Sequence, residues 1–300
     1  MKTVKYVPHL YWEKRLVKDF TLGGTGHIGL GERFNRWVYK SKAATVDRVV
    51  KALNIDLRGK KVLDVGCGTG FWVDYWIGRG AGAVTGIDIA ETSIRELSRR
   101  YPFHTFVVSD LQKEWRIEEK YEIISAFAVL QHIVDEEGFN TAIANIGGSL
   151  AQDGYLFISD GFTKNASSPE WHVYWRTFER YRTALLAQNI EVISVFPMAV
   201  LMDIVCDMEF TKHAWVAWFI NSMWHKVTKP AVKSKWLGPL KRGIGPSLFC
   251  IDRILLRLIK DGPSTKLLVA RYRCFHDSDS GLISKSKVTT KDGQLERLRM

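Results

Sequence analysis

The chain has 300 residues and a mass of 34.3 kDa, room for one large domain or two modest ones, and its 46% hydrophobic and 25% charged residues are ordinary for a globular protein. No apolar run reaches the roughly 18 residues of a membrane span. The opening MKTVKYVPHLYWEKR lacks a signal-peptide core, and Cys67, Cys206, Cys250 and Cys274 form no C-x-x-C pair, so the sequence argues against a disulfide framework or a zinc site and for a cytoplasmic setting.

The net charge of +11 is unevenly held. Residues 1–50 carry ten Lys/Arg against four Asp/Glu, residues 211–260 carry ten against one, and the stretch 51–210 between them is acidic. Residues 1–52 read as a helical, aromatic and basic lead-in that caps the core. From there short aliphatic runs predict strands at 61–65, 83–88, 104–109, 121–127, 154–159 and 190–196, with amphipathic helices at 71–79, 91–100, 136–151 and 169–188. Ser168 and Pro169 suit the cap and first turn of the last of these, and Trp171, Trp175, Phe178 and Leu185 fall on one face of it. This alternation predicts βαβ units and a parallel sheet covered on both faces, a core spanning 53–210.

Residues 211–262 then interrupt the run before a last core strand expected at 266–274, within a segment 263–275. A connection of about fifty residues is far beyond the usual 2–6, so it predicts a basic, Trp-rich helical insertion acting as a lid. Within PSLFCIDRILLRLIK (246–260), Arg253, Arg257 and Lys260 share one helical stripe, while Leu248, Ile251, Leu255, Leu258 and Ile259 form an apolar side. Residues 276–300 are polar and aperiodic and read as a loose tail.

The chemistry is concentrated in KVLDVGCGTGFW, residues 61–72. Gly66, Gly68 and Gly70 make G-x-G-x-G directly after a strand, but the glycine that would complete a dinucleotide fingerprint is replaced by Phe71. Asp64 stands two residues before the first glycine, where a carboxylate repels a pyrophosphate and attracts an ammonium, directly or through water. Asp88 ends the second strand, where an acid accepts both ribose hydroxyls, and Asp110 follows the third, where one can accept an adenine amine. A ligand with an ammonium, a diol and an adenine but no phosphate fits this set: S-adenosylmethionine (SAM).

With VLDVGCGTG (62–70), GID (86–88), SD (109–110), AFAVLQHI (126–133) and AQDGYLFISD (151–160) in this order, the sequence resembles the class I SAM-dependent methyltransferases, notably the small-molecule branch with the ubiquinone and menaquinone methyltransferases. The resemblance covers roughly residues 60–200. It implies an α/β, Rossmann-like, seven-stranded doubly wound sheet with the last strand antiparallel between the fifth and sixth. It also implies cofactor contacts from Asp64, Gly66, Gly68, Gly70, Asp88 and Asp110, with Cys67, Ile89, Leu111, Phe127 and His132 beside them.

His132 is the one candidate general base, set against a structural or cofactor-contacting role for the same ring. Arg36, Trp37 and Tyr39 are expected to close over the cofactor and acceptor, and Trp171 and Trp175 are assigned to the acceptor. The fourth strand ends in SAFAV, not in the Asn/Asp-Pro-Pro-aromatic motif of nucleobase-amine methyltransferases, and no paired acidic metal ligands are recognisable, so no metal is expected. The expected function is methyl transfer to a small hydrophobic or anionic metabolite. The alternatives are a lipid-linked or prenyl-type acceptor at a membrane surface, and a catalytically silent SAM-binding scaffold. For the basic insertion a structural cap, an acceptor pocket and peripheral docking on an anionic membrane compete, with nucleic acid ranked last.

Overall fold

The computed structural model describes residues 6–273 except Arg116 and Lys260, so the expected tail at 276–300, Cys274 and the Lys260 end of the basic stripe lie outside the described residues. Three helices lead in: α1 (Pro8–Lys18), the short α2 (Leu22–Thr25) and α3 (Gly31–Ala52). Pro8 occupies the first turn of α1, where its missing N–H costs nothing. The core follows as β1 (Lys61–Val65), α4 (Phe71–Ile77), β2 (Ala83–Asp88), α5 (Glu91–Arg100), β3 (Thr105–Val108), β4 (Tyr121–Phe127), α6 (Glu136–Ser149) and β5 (Leu150–Asp160).

Next come a small antiparallel pair, β6 (Ser167–Glu170) and β7 (Val173–Trp175), then α7 (Phe178–Leu186) and β8 (Ile190–Pro197). The insertion supplies α8 (Ala214–Ser222), a π-helical turn over Met223–Thr228, α9 (Lys229–Lys233) and α10 (Ile244–Leu258). The chain returns to the sheet as β9 (Lys266–Tyr272).

The seven-stranded sheet runs β3-β2-β1-β4-β5-β9-β8, with β9 antiparallel to both β5 and β8. Seven strands, with the last antiparallel and lying between the fifth and sixth core strands, are what the family resemblance implied. Adjacent residues of a strand point to opposite faces. Val62 and Ile123 accordingly pack on α3 and α4 through Val46, Trp72 and Trp76, whereas Leu63 and Ile124 pack on α6 and α7 through Phe139, Ile143, Tyr181 and Leu185.

One predicted helix is corrected. Residues 167–175 form the strands β6 and β7 joined by a turn at 171–172, and the helix starts only at Phe178, capped by Thr177, whose side chain accepts from Arg180 N. The competing signal is alternation: Val173 and Trp175 turn to one side, where they pack with Cys206. Arg176, only 1% exposed, anchors the end of β7 by donating to the Glu136 carboxylate at 2.7 Å and to the Asp135 carbonyl at 2.9 Å.

A buried polar hub ties the lead-in to the sheet. The Asp203 carboxylate accepts from Lys42 Nζ at 2.9 Å and Thr265 Oγ1 at 2.9 Å, and contacts His27 Nε2 at 2.6 Å. Burial alone would raise its pKa, yet Lys42 and His27 hold it well below the usual carboxylate range.

Asp64 is the opposite case. It is 1% exposed, accepts from Ser125 Oγ at 2.7 Å, and its Oδ2 has no partner. Burial pushes its pKa up to about 7, with Ser125 opposing and Asp88 reinforcing the rise. Because the folded pKa lies above the unfolded value near 4, ionisation destabilises the fold progressively as pH climbs through that window. Asp64→Asn is therefore expected to raise the melting temperature of the ligand-free protein by roughly 5 °C at pH 8 and to leave it nearly unchanged at pH 4. Equal shifts at both pH values in thermal melts would contradict this account of Asp64.

Candidate functional site

The carboxyl ends of β1, β2 and β4 open into one cleft. Its floor is the turn after β1, where Gly66, Gly68 and Gly70 all take left-handed φ values of 72°, 51° and 83°. A Cβ at Gly66 would lie 2.7 Å from the Val129 side chain, and one at Gly70 would lie 2.5 Å from Leu97, so the turn is pressed between the segment after β4 and helix α5. Glycine at 66 leaves the backbone open to a ligand. Gly70 does not line the cleft, and its part is to start α4 against α5.

Asp88 forms one wall. Its Oδ2 accepts from Gly68 N at 2.8 Å and its Oδ1 from Ala90 N at 2.9 Å, which locks the carboxylate to the glycine turn and leaves the second lone pair of each oxygen for a ligand. Burial raises its pKa, and the backbone amides oppose that rise. Asp110 stands beyond it, oriented by the Gln112 amide at 3.0 Å. The other walls are aromatic. Trp72 and Phe127 pack with centroids 4.0 Å apart, and Tyr39 meets Phe71 edge-on at 4.8 Å while its hydroxyl donates to Thr25.

Helix α1 closes the opposite side. Pro8, Trp12 and Leu16, spaced by four, present one stripe to the cleft. Glu13 fastens the helix down by accepting from both Thr92 N (3.0 Å) and Thr92 Oγ1 (2.6 Å) at the start of α5. Trp12 stands edge-on to His132 at 4.8 Å. The His132 Nδ1 hydrogen-bonds the His172 carbonyl at 3.0 Å, so it carries the proton and Nε2 is the accepting nitrogen, which takes a long hydrogen bond from Gln131 Nε2 at 3.4 Å. Burial pushes the His132 pKa down to about 4, only partly offset by that hydrogen bond, so the ring is neutral at neutral pH.

Of the residues singled out in the sequence, Tyr39, Gly66, Cys67, Gly68, Asp88, Ile89, Asp110, Leu111, Phe127 and His132 line this one cleft. Five others do not. Asp64 lies beneath the turn, in a chain running from Trp76 Nε1 through Ser125 to its own Oδ1. Arg36 pairs with Glu32 on the surface of α3, and Trp37 packs on Phe249 at 5.5 Å, away from the cleft. Trp171 is half exposed among Tyr6, Tyr11 and His172, and Trp175 is buried beside Cys206. None of the described residues of 211–260 lines the cleft, so the cover is α1 and not the insertion. Tyr6, Trp12 and Gln112 are among the cleft residues that the sequence did not single out, although Pro8 at a helix start with Trp12 and Leu16 at four-residue steps signalled such a face.

A doubly wound sheet with a glycine turn at the end of β1 and acids after β2 and β3 defines a nucleoside-binding α/β domain suited to a ligand without phosphate. The profile of a methyltransferase domain matches residues 34–204, more than half of the chain. The chain belongs to this family, the class I SAM-dependent methyltransferases. It is 33% identical over 121 residues (38% of this chain, 48% of the relative) to a ubiquinone biosynthesis O-methyltransferase of Neisseria meningitidis serogroup C. It is 35% identical over 113 residues (34% and 46%) to the protein of that name from Glaesserella parasuis. The chain thus spans about half the length of these curated relatives. Among solved structures it is similar to magnesium protoporphyrin IX methyltransferase from Synechocystis PCC 6803, at 22% identity and a TM-score of 0.47, covering 62% of this chain and 90% of that one.

Proposed function

We propose that the protein transfers a methyl group from SAM to a hydroxyl oxygen of a small, predominantly hydrophobic acceptor. The observation that carries this reading is the composition of the cleft. Two carboxylates, Asp88 and Asp110, face it at one end, aromatic rings line the other, and no Lys or Arg side chain of the described residues lines it. An acceptor with a carboxylate or phosphate would meet no cation in the lining itself, the nearby Arg15 lying behind Trp12, which favours the hydrophobic over the anionic class.

The residues present fit SAM. Asp88 would accept the ribose hydroxyls, Asp110 the adenine amine, and the backbone of 66–68 would lie against the nucleoside. Bound there, SAM supplies a methyl group activated by a sulfonium that leaves as a neutral thioether. The chain supplies alignment and dryness. Tyr39 and Trp12 close the cleft from the lead-in helices, excluding water that would otherwise solvate the acceptor oxygen.

His132 would orient that oxygen. An imidazole whose pKa is pushed down to about 4 accepts a hydrogen bond more readily than it removes a proton, so its role is positioning. The relatives named as O-methyltransferases support the choice of oxygen.

Incubation with methyl-labelled SAM and a pool of phenolic and alcoholic metabolites is the test, and a labelled methyl ether is the expected product. With that acceptor in hand, His132→Gln is expected to keep turnover within about tenfold and His132→Ala to lose about a hundredfold, with no pH–rate limb between 5 and 8 assignable to His132. Label on nitrogen or carbon, or none at all, would overturn the reading.

A further inference from the structure

The insertion plays no part in the cleft, yet it carries half of the exposed large hydrophobic side chains among the described residues. On α8 these include Trp215 and Trp218, and on α10 they are Ile251, Ile254 and Leu258, at 44%, 61% and 74% exposure. The two helices already have a buried side. Ala217 and Ile220 of α8 and Leu256 of α10 share one apolar cluster with Val200 and Val205. The exposed residues are therefore a second apolar face. On α10 the steps of three and four residues from Ile251 to Ile254 to Leu258 align them in a single stripe beside Leu255, which packs on that cluster.

The charge around this face has one sign. The only acid of 211–260, Asp252, is fully buried, with its carboxylate accepting from the amides of Val200, Leu201 and Met202 at 2.8–3.2 Å. Among the described residues, no Lys or Arg of the insertion makes an ion pair, whereas Lys42, Arg79, Arg176 and Lys266 in the body all do. Three guanidinium groups are also brought together without a carboxylate. Arg48 of α3 donates to the Leu256 carbonyl at 3.3 Å and leaves its buried Nε unpartnered. Burial first, and then the charges of Arg253 and Arg257, disfavour its cationic form. An anion held at Arg253 and Arg257 would relieve the repulsion.

An aliphatic stripe on a helix that also carries arginines, in a segment that exposes tryptophans, is the chemistry of a bilayer interface. A nucleic-acid strand would use the cations and the indoles but has no use for Ile251, Ile254 and Leu258. We propose that the outer face of α8 and α10 docks the protein on an anionic phospholipid bilayer. The aliphatic stripe enters the headgroup–acyl boundary, and Arg253 and Arg257 hold lipid phosphate. This does not rest on the reaction proposed above, since the two surfaces share no residue.

Co-sedimentation of the full chain with phosphatidylcholine vesicles, with and without phosphatidylglycerol, tests it. The protein is expected to bind the vesicles containing phosphatidylglycerol, weakly or not at all to phosphatidylcholine alone, and less as salt is raised. The double variant Ile254→Ser/Leu258→Ser is expected to lower the partition coefficient at least about tenfold, with melting temperature and S-adenosylhomocysteine affinity unchanged. Arg253→Gln/Arg257→Gln should remove the preference for phosphatidylglycerol. Failure of the folded wild type to bind those vesicles would overturn the proposal. So would wild-type binding by the serine variant, or displacement from vesicles by a single-stranded RNA oligonucleotide bound more tightly.

Discussion

Asp88→Ala is expected to weaken S-adenosylhomocysteine binding by at least about a hundredfold, a loss larger than that of one ligand hydrogen bond. The reason is that Asp88 holds two things at once. Its oxygens fix the Gly68 and Ala90 amides, so removing them takes away the diol acceptor and also frees the glycine turn on which the nucleoside would rest. Asp88→Asn retains one acceptor oxygen and should fall between the two, near tenfold. Isothermal titration on both variants checks the order, with thermal melts confirming that each is folded. Unchanged affinity in the alanine variant would remove Asp88 from the site.

The largest stability effect is expected at Asp203. Replacement by Ala leaves the Lys42 ammonium buried without its 2.9 Å partner and strands Thr265 Oγ1 as well. Breaking a buried pair from one side costs about 3–5 kcal/mol. For a chain of this size that corresponds to a fall in melting temperature of roughly 10 °C. The pH dependence has a definite sign. Because the folded pKa of Asp203 is depressed, its contribution is present above the unfolded value near 4 and is lost as pH falls below it. The gap between wild type and variant should therefore be full at pH 7 and narrow below about pH 4. A gap that stays constant down to pH 3 would show that Asp203 acts through packing and not through its charge.

The parts of the fold that could be read in the sequence are those where local pattern and tertiary demand agree. In β1, β2 and β4 a continuous aliphatic run meets helices on both faces, and the observed strands match the expected 61–65, 83–88 and 121–127. The placement of β9 between β5 and β8 has no local signal and came only through the family resemblance. At 167–175 two periods coincide. Trp171, Trp175 and Phe178 fit a helix, while Val173 and Trp175 fit a strand, and the buried Arg176–Glu136 pair decides for the strand from forty residues away in sequence.

The acidic end of the cleft, where the proposed function seats the cofactor, was legible because it is built on strand ends, where position in sequence fixes position in space. Asp88 and Asp110 are cases of this, and both reach the cleft. Asp64 shows the limit of the rule, since its position two residues before the turn points its side chain under the sheet's end and not out of it. The aromatic end of the cleft was less legible because part of its wall comes from a helix that crosses over from the lead-in. Nothing at residues 8–16 encodes that Glu13 will dock on Thr92, and that contact is what brings Trp12 to His132. The insertion gave the opposite lesson. Its charge and tryptophans were plain in the sequence, but only the packing of α8 and α10 on the Val200–Val205 segment showed which apolar side chains are spent on the core and which are left outside.

The central claim is that the cleft at the ends of β1, β2 and β4 receives an adenosyl group that carries no phosphate. Calorimetric titration of the purified chain with S-adenosylhomocysteine, and separately with NAD, tests it most directly. One-to-one saturable binding of S-adenosylhomocysteine, displaced by SAM and unaffected by NAD, is the predicted result. Absence of S-adenosylhomocysteine binding by folded protein, or tighter binding of NAD at the same site, would contradict it.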